Sequence, residues 1–196
     1  MRYFLSDLHL YDKGIIEYCD RPFSSVEEMH YMIINNFRNK VKGKGEIFIL
    51  GDIVGKNGKY LIKNDLVHIL SQMGINNPDT PFHLILGNHD TLQIQDYIDM
   101  GFMSVKEIDS IQIGNLKTML THDPCFIQQK NTLALCGHVH TLFEYVCNVE
   151  RNNLAINVGV EVRNYTPVSE DEIITLIKST AWANLSQQLS NTNETP

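Results

Sequence analysis

The sequence predicts a single α/β domain, and three observations predict it. Six short, nearly continuous apolar runs of strand length recur along the 196 residues. Stretches with helical apolar spacing lie between or after several of them. Each of the first five runs leads into a cluster of glycine, aspartate, asparagine or histidine, the pattern of strands that deliver polar side chains to one edge of a sheet.

The runs are "RYFLS" (2–6), "EIFIL" (46–50), "FHLIL" (82–86), "LKTMLT" (116–121), "TLALC" (132–136) and "LAINVGV" (154–160). Their lack of apolar/polar alternation suits strands buried on both faces. In "SSVEEMHYMIINNFRNKV" (24–41), Val26, Met29, Ile33, Ile34, Phe37 and Val41 fall at helical spacing, with Ser25 and Glu28 as a capping box. Residues 60–73 repeat the pattern through Leu61, Ile62, Leu66, Ile69, Leu70 and Met73, and Gly74 ends it. A third helix starts at Ser169, capped with Glu172, carries Ile173, Ile174 and Ile177, and is expected to run on through Trp182, Leu185 and Leu189. Met29, Met32 and Met73 are read as core. The domain is drawn at 1–178, followed at 179–196 by a helical extension and a frayed polar tail.

Hydrophobic residues make up 43% and charged residues 20% of the chain, the balance of an ordinary globular domain. No apolar run approaches the roughly 20 residues that span a bilayer. The N-terminus reaches Asp7 too early for a secretory signal, so a cytoplasmic location is expected. Cys19, Cys125, Cys136 and Cys147 form no CxxC pair and fit reduced thiols. Cys136 is read as a small buried residue at a strand end rather than a ligand. A formal charge of −7 counts against a broad basic face for long nucleic acid. Two bound divalent cations would bring it to roughly −3.

Five of the eight histidines sit in the strand-end motifs: "SDLH" after the first run, "GD" (51–52), "GNHD" (87–90), "THD" (121–123) and "GHVH" (137–140). Singly these are ordinary turns, and "GHVH" alone is the most suggestive of a metal. His30, His68 and His83 belong to none of them and are read as surface or core residues.

In this order the motifs resemble the signature of the calcineurin-like metallophosphoesterases: D-x-H, G-D, G-N-H-[D/E], H, then G-H-x-H. The resemblance covers about residues 1–175 and is closest to small bacterial and phage-borne members, which "RPF" (21–23) and "INVGVEVRNYTPVS" (156–169) also resemble. It implies a sandwich of two mixed β-sheets flanked by helices, and a centre for two divalent ions: manganese by preference, or iron, zinc or nickel. Asp7, His9 and His140 would hold one ion, Asn88, His122 and His138 the other, and Asp52 would bridge. Carboxylates mixed with imidazoles suit such borderline ions better than magnesium or calcium. His89 would act on the phosphoryl group or leaving group rather than on metal. Asp90 and Asp123 would either orient a histidine or cap a turn.

One departure bears on substrate. Protein phosphatases of this superfamily extend "GD" with "xxDR", whereas this chain reads "GDIVGKNGKY", with Gly55 and Lys56 at those places. Lys56, Lys59 and Lys63 are a substitute source of positive charge or a solvated face. The expected activity is hydrolysis of a small phosphodiester or phosphomonoester. A nuclease, and a scaffold that binds metal without turnover, are the alternatives.

Overall fold

The computed structural model describes residues 1–55, 63–180 and 182. Among the described residues ten strands form two five-stranded sheets, and both sheets are mixed, as predicted. In the first, β1 (Arg2–Leu5), β2 (Glu46–Leu50), β3 (Phe82–Ile85) and β4 (Phe102–Lys106) run parallel, and β10 (Val168–Ser169) lies antiparallel to β1, in the order β10-β1-β2-β3-β4. The second sheet takes the order β5-β6-β7-β9-β8. There β6 (Leu116–Thr121), β7 (Leu133–Cys136) and β9 (Asn153–Asn157) are parallel, and β5 (Ile108–Ile113) and β8 (Tyr145–Asn148) are antiparallel edges.

Strand periodicity divides the core in two. Tyr3, Leu5, Ile47, Ile49, Phe82 and Leu84 face outward and pack under helix α2 (Val26–Lys40) and helix α3 (Lys63–Met73), against Met29, Ile33, Phe37, Leu66, Leu70 and Met73. The alternate residues Phe4, Phe48, Leu50 and Ile85 face the second sheet and meet Leu120, Leu133, Leu135, Leu154 and Ile156. Each such side chain, fully buried, contributes about 1.5–3 kcal/mol. Helix α5 (Glu170–Ser179) adds Ile173 and Ile177 to this second cluster.

The helix ends follow their caps with two differences. Ser25 accepts from the Glu28 amide, but the Glu28 carboxylate turns to Ser24 instead of closing the box on Ser25. The box at Ser169 and Glu172 is complete, yet α5 stops at Ser179 because Thr180 is extended. The expected continuous helix is therefore interrupted. Trp182 is still buried and donates to the Asn152 carbonyl, while Leu185, Leu189 and the rest of 183–196 lie outside the described residues. Met32 lies on the exposed side of α2 and is not core. Two one-and-a-half-turn helices, α1 (Lys13–Tyr18) and α4 (Ile94–Asp99), complete the architecture. All four cysteines are free thiols. No helix among the described residues is long and apolar enough to cross a membrane.

Candidate metal centre

The motif loops leave the carboxyl ends of β1, β2, β3, β6 and β7, so three come from the first sheet and two from the second. Backbone bonds stitch them together: Asp7 N–H to Gly51 O (3.1 Å), His9 N–H to Asp52 O (3.0 Å), Gly137 N–H to His122 O (2.9 Å) and Val160 N–H to Ser6 O (3.1 Å). The cost of this convergence is visible in the chain. Asp7, His9, Asp52, His138 and His140 all have left-handed φ, between 45° and 71°. Such a conformation is uncommon for residues with a side chain and clusters where function demands it. Gly51, at φ 88°, has no room for a Cβ, which would stand 2.7 Å from both Gly87 Cα and His122 Cγ.

Asp7, His9 and His140 bring ligand atoms within 4.8 Å of one another, and so do Asp7, Asp52 and His122, and also His9, Asp52 and His89. Asp52 Oδ2 lies 3.5 Å from His9 Nε2, 3.4 Å from His122 Nε2 and 3.9 Å from His89 Nε2. Asn88 Oδ1 joins His122 Nε2 and His138 Nδ1, each at 3.0 Å. The sequence-predicted ligands are thus brought into one cluster, with Asp7, His9, Asp52 and His122 buried and Asn88 and His138 at its exposed mouth.

Three imidazoles are held by their far nitrogen. His122 Nδ1 donates to the Leu50 carbonyl (2.8 Å), His140 Nδ1 meets Glu161 Oε1 (2.9 Å), and His9 Nδ1 faces Asp12 Oδ2 (3.4 Å). This arrangement fixes each ring's orientation and turns Nε2 toward the centre, where a deprotonated imidazole offers its lone pair. His9 Nε2 is buried without a hydrogen-bond partner, a cost that a cation at this place removes. The donor set of carboxylate, amide oxygen and neutral imidazole therefore fits divalent ions.

The electrostatics agree. Burial pushes the Asp7 carboxyl up, against the pull of His122 and His140. Burial also works against the Asp52 carboxylate, but the hydrogen bond and charge of His122, the His89 amide and His9 bring it below the usual range. Although burial disfavours their charge, His122 is pushed up to about 9, chiefly by Asp52 and Asp7, and His140 to about 10, by Cys19, Glu161 and Asp7. A cluster that draws protons so strongly is one that divalent cations neutralise, releasing those protons. His89 moves the other way: burial lowers it, with Asp52 opposing.

Asp90 orients no histidine. Its buried carboxylate accepts from the amides of Asp52 (2.8 Å), Ile53 (3.1 Å) and Gly87 (2.9 Å), locking the "GD" loop to the "GNHD" loop, and burial raises it to about 6. Asp123 caps the short turn Pro124–Phe126 through the Cys125 amide (2.7 Å). Gly55 cannot carry the side chain that the protein phosphatases have there, because a Cβ would overlap the Asp12 carboxylate. Lys56 and Lys59 lie outside the described residues. His30 accepts from the Tyr11 amide (2.8 Å), and His83 stacks on Phe48 and bonds Ser104 (2.7 Å), so both are structural.

Sequence reasoning missed Arg21, Glu161 and Asp12. "RPF" and "INVGVEVRNYTPVS" contain the first two, but nothing in their spacing ties residue 21 to residue 161.

Comparison with known proteins places these features in a lineage. The family model for calcineurin-like phosphoesterases matches residues 3–151, from β1 through β8. An uncharacterized protein of Methanocaldococcus jannaschii, MJ1445, is 35% identical over 183 residues, which are 90% of each chain. Among solved structures, AQ665 from Aquifex aeolicus, a protein of unknown function, superposes with a TM-score of 0.66 at 24% identity, covering 90% of this chain and 99% of that one; it attests the fold alone. Yfce, a phosphoesterase from E. coli, aligns with a TM-score of 0.45 at 16% identity, covering 80% of this chain and 77% of that one. With the family model matched along most of its length and a relative similar from end to end, this chain belongs to the calcineurin-like phosphoesterase family.

Proposed function

We propose that the protein is a two-metal phosphoesterase that hydrolyses a small phosphodiester or phosphomonoester. The observation that carries this reading is Asp52 Oδ2, faced by the Nε2 atoms of His9, His122 and His89 from three separate strand-end loops. Asp7, His9 and His140 would hold one ion, Asn88, His122 and His138 the other, with Asp52 shared; manganese is favoured over iron, zinc and nickel. Bound divalent ions supply Lewis acidity toward water and phosphoryl oxygens.

The chain's own residues do the rest. Backbone bonds and the Asp90 brace hold the ligands before substrate arrives, so little reorganisation is needed. His89 stands partly exposed at the mouth, its amide tied to Asp52 Oδ1 (2.9 Å). Because burial lowers its imidazole, it serves near neutral pH as a hydrogen-bond donor to phosphoryl or leaving-group oxygen. A cavity of about 480 Å³ beside Asn88, His122 and His138, rimmed by Ile108 and Phe126, gives a leaving group of modest size a place to sit. With Lys56 where the phosphatase arginine would be, that place offers a flexible point charge instead of the planar fork suited to a monoester dianion. Diester hydrolysis should equal or exceed monoester hydrolysis.

The test is a panel of bis(p-nitrophenyl) phosphate, p-nitrophenyl phosphate, cyclic nucleotides and short oligonucleotides, with Mn²⁺, Ni²⁺, Zn²⁺ or Mg²⁺. A monoester preference of tenfold or more, about 1.4 kcal/mol in transition-state binding, refutes the diester reading. Salt-sensitive cleavage of oligonucleotides alone identifies a nuclease. Metal uptake without turnover of any substrate identifies a scaffold.

A further inference from the structure

We propose that Arg21 and Glu161 form a positioning pair that sets one half of the centre, the half built from Asp7, His9 and His140, and leaves the half built from Asn88, His122 and His138 alone. The inference rests on the two-ion reading above and adds to it a cause for unequal ion affinities.

The Arg21 guanidinium is wholly buried, and each of its nitrogens is engaged. Nη2 donates to the Asp7 carbonyl (2.8 Å) and Nη1 to the Leu8 carbonyl (3.1 Å) and toward Met29 Sδ (3.2 Å). Nε (3.1 Å) and Nη2 (2.5 Å) both reach Glu161 Oε1. These bonds pin the peptide units on either side of Leu8, between Asp7 at φ 59° and His9 at φ 48°. Glu161 Oε1 then takes His140 Nδ1 at 2.9 Å, so one carboxylate oxygen connects the guanidinium to a ligand imidazole. His140 is fixed from behind as well, through Asn157 Nδ2 on its carbonyl (2.7 Å).

Stability alone does not account for such a pair. Desolvating a guanidinium and a carboxylate costs more than their pairing commonly regains, and apolar side chains of the same volume hold a core at least as well. Glu161 Oε2 is itself left buried without a hydrogen-bond partner. What apolar residues cannot supply is direction: two carbonyls drawn into a left-handed turn, and an imidazole held with Nε2 facing the centre.

The side chains of the opposite half are held by other means, although the His138 amide donates to both Asp7 carboxylate oxygens (3.1 Å each). His122 Nδ1 donates to a backbone carbonyl, and His138 Nδ1 lies on Asn88 Oδ1. Neither contact involves Arg21 or Glu161. Losing the pair should therefore weaken one ion and spare the other, whereas general loosening of the fold would weaken both.

Calorimetric titration of metal-free protein with Mn²⁺ reads this directly, without any substrate. The wild type should take two ions. Glu161→Gln should keep one at wild-type affinity and weaken the other by 10- to 100-fold, the usual effect of removing a partner behind a ligand. His138→Ala should weaken the complementary ion, and combining it with Glu161→Gln should abolish tight binding. Glu161→Gln leaves Arg21 buried without its counter-charge, so Arg21→Met/Glu161→Gln, which removes both charges, is the second variant; it should fold and show the same one-ion loss. Two ions at wild-type affinity in these variants, or equal weakening of both ions, overturns the proposal. Failure of the double variant to fold also overturns it, since the pair would then serve stability. A wild type that takes one ion refutes the two-ion reading, and the pair is then judged by whether that single affinity falls at least tenfold.

Discussion

Replacing Gly51 with alanine tests the idea that the centre is built by backbone approach as much as by ligands. The added Cβ meets two costs. At φ 88° it imposes a left-handed conformation on a residue with a side chain, about 1–2 kcal/mol. It also stands 2.7 Å from Gly87 Cα, a backbone atom that cannot swing away, and from His122 Cγ, and overpacking of this kind costs about 1–3 kcal/mol. The sum, about 2–5 kcal/mol, lowers the melting temperature by about 4–20 °C in a domain of this size. The His122 ring should leave its 2.8 Å bond to the Leu50 carbonyl, and metal affinity should fall with it. Gly74→Ala is the control: its φ is 93°, but nothing lies within 4 Å of the Cβ, so only the conformational cost applies. Melts in chelator, with metal titration alongside, compare the two. Equal, small losses for both variants with full metal binding would refute the reasoning.

Three further outcomes are expected. Asp52→Asn should abolish turnover and weaken both ions, because its carboxylate faces both halves; two tightly held ions per chain after gel filtration would contradict that. His89→Ala should keep its metal while losing about 10²–10⁴ in kcat, and metal loss matching His138→Ala would show His89 to be a ligand. His30 is held down at about 4, from 6.5, chiefly by burial, and its neutral Nε2 accepts the Tyr11 amide. The unfolded chain therefore takes up this proton first, so the stability His30 contributes is full above pH 6.5 and is lost as pH falls toward 4. After allowance for solvent screening the loss is about 1–2 kcal/mol. His30→Gln should flatten that part of the pH–stability curve, and an unchanged slope in urea titrations would refute the assignment.

The residues that were legible in the sequence share a physical reason. β1, β2, β7 and β9 are buried on both faces, so their apolar runs are unbroken, and each of the first three ends in residues that are costly to place there without a purpose. β5 alternates exposed and half-buried residues, β4 is largely uncovered, and β8 is nearly all exposed, so none of the three announces itself. α1 and α4 each bury one side chain, Ile15 and Tyr97, too little for a period to register. The Arg21–Glu161 pair was illegible for another reason: its members meet only through the fold, across a sequence separation of 140 residues. Asp90 could be seen but not assigned, because its partners are backbone amides, which carry no trace in side-chain identity.

The strand order of the first sheet has a consequence for how the protein comes into being. β1 lies between β2 and β10, and its pairing of Tyr3 with Ser169 needs a segment synthesised long after it. At about 5–20 residues per second, the first strand waits on the order of ten to thirty seconds for that neighbour. During this interval Phe4 and Leu5 belong to an open edge, the kind of surface that pairs with other chains. His140 and Glu161 both emerge only shortly before β10, so Asp7 and His9 wait for them through most of the same interval. The Asp7, His9 and His140 half of the centre is therefore assembled last. A chain halted before residue 161 would lack the carboxylate that orients the His140 imidazole.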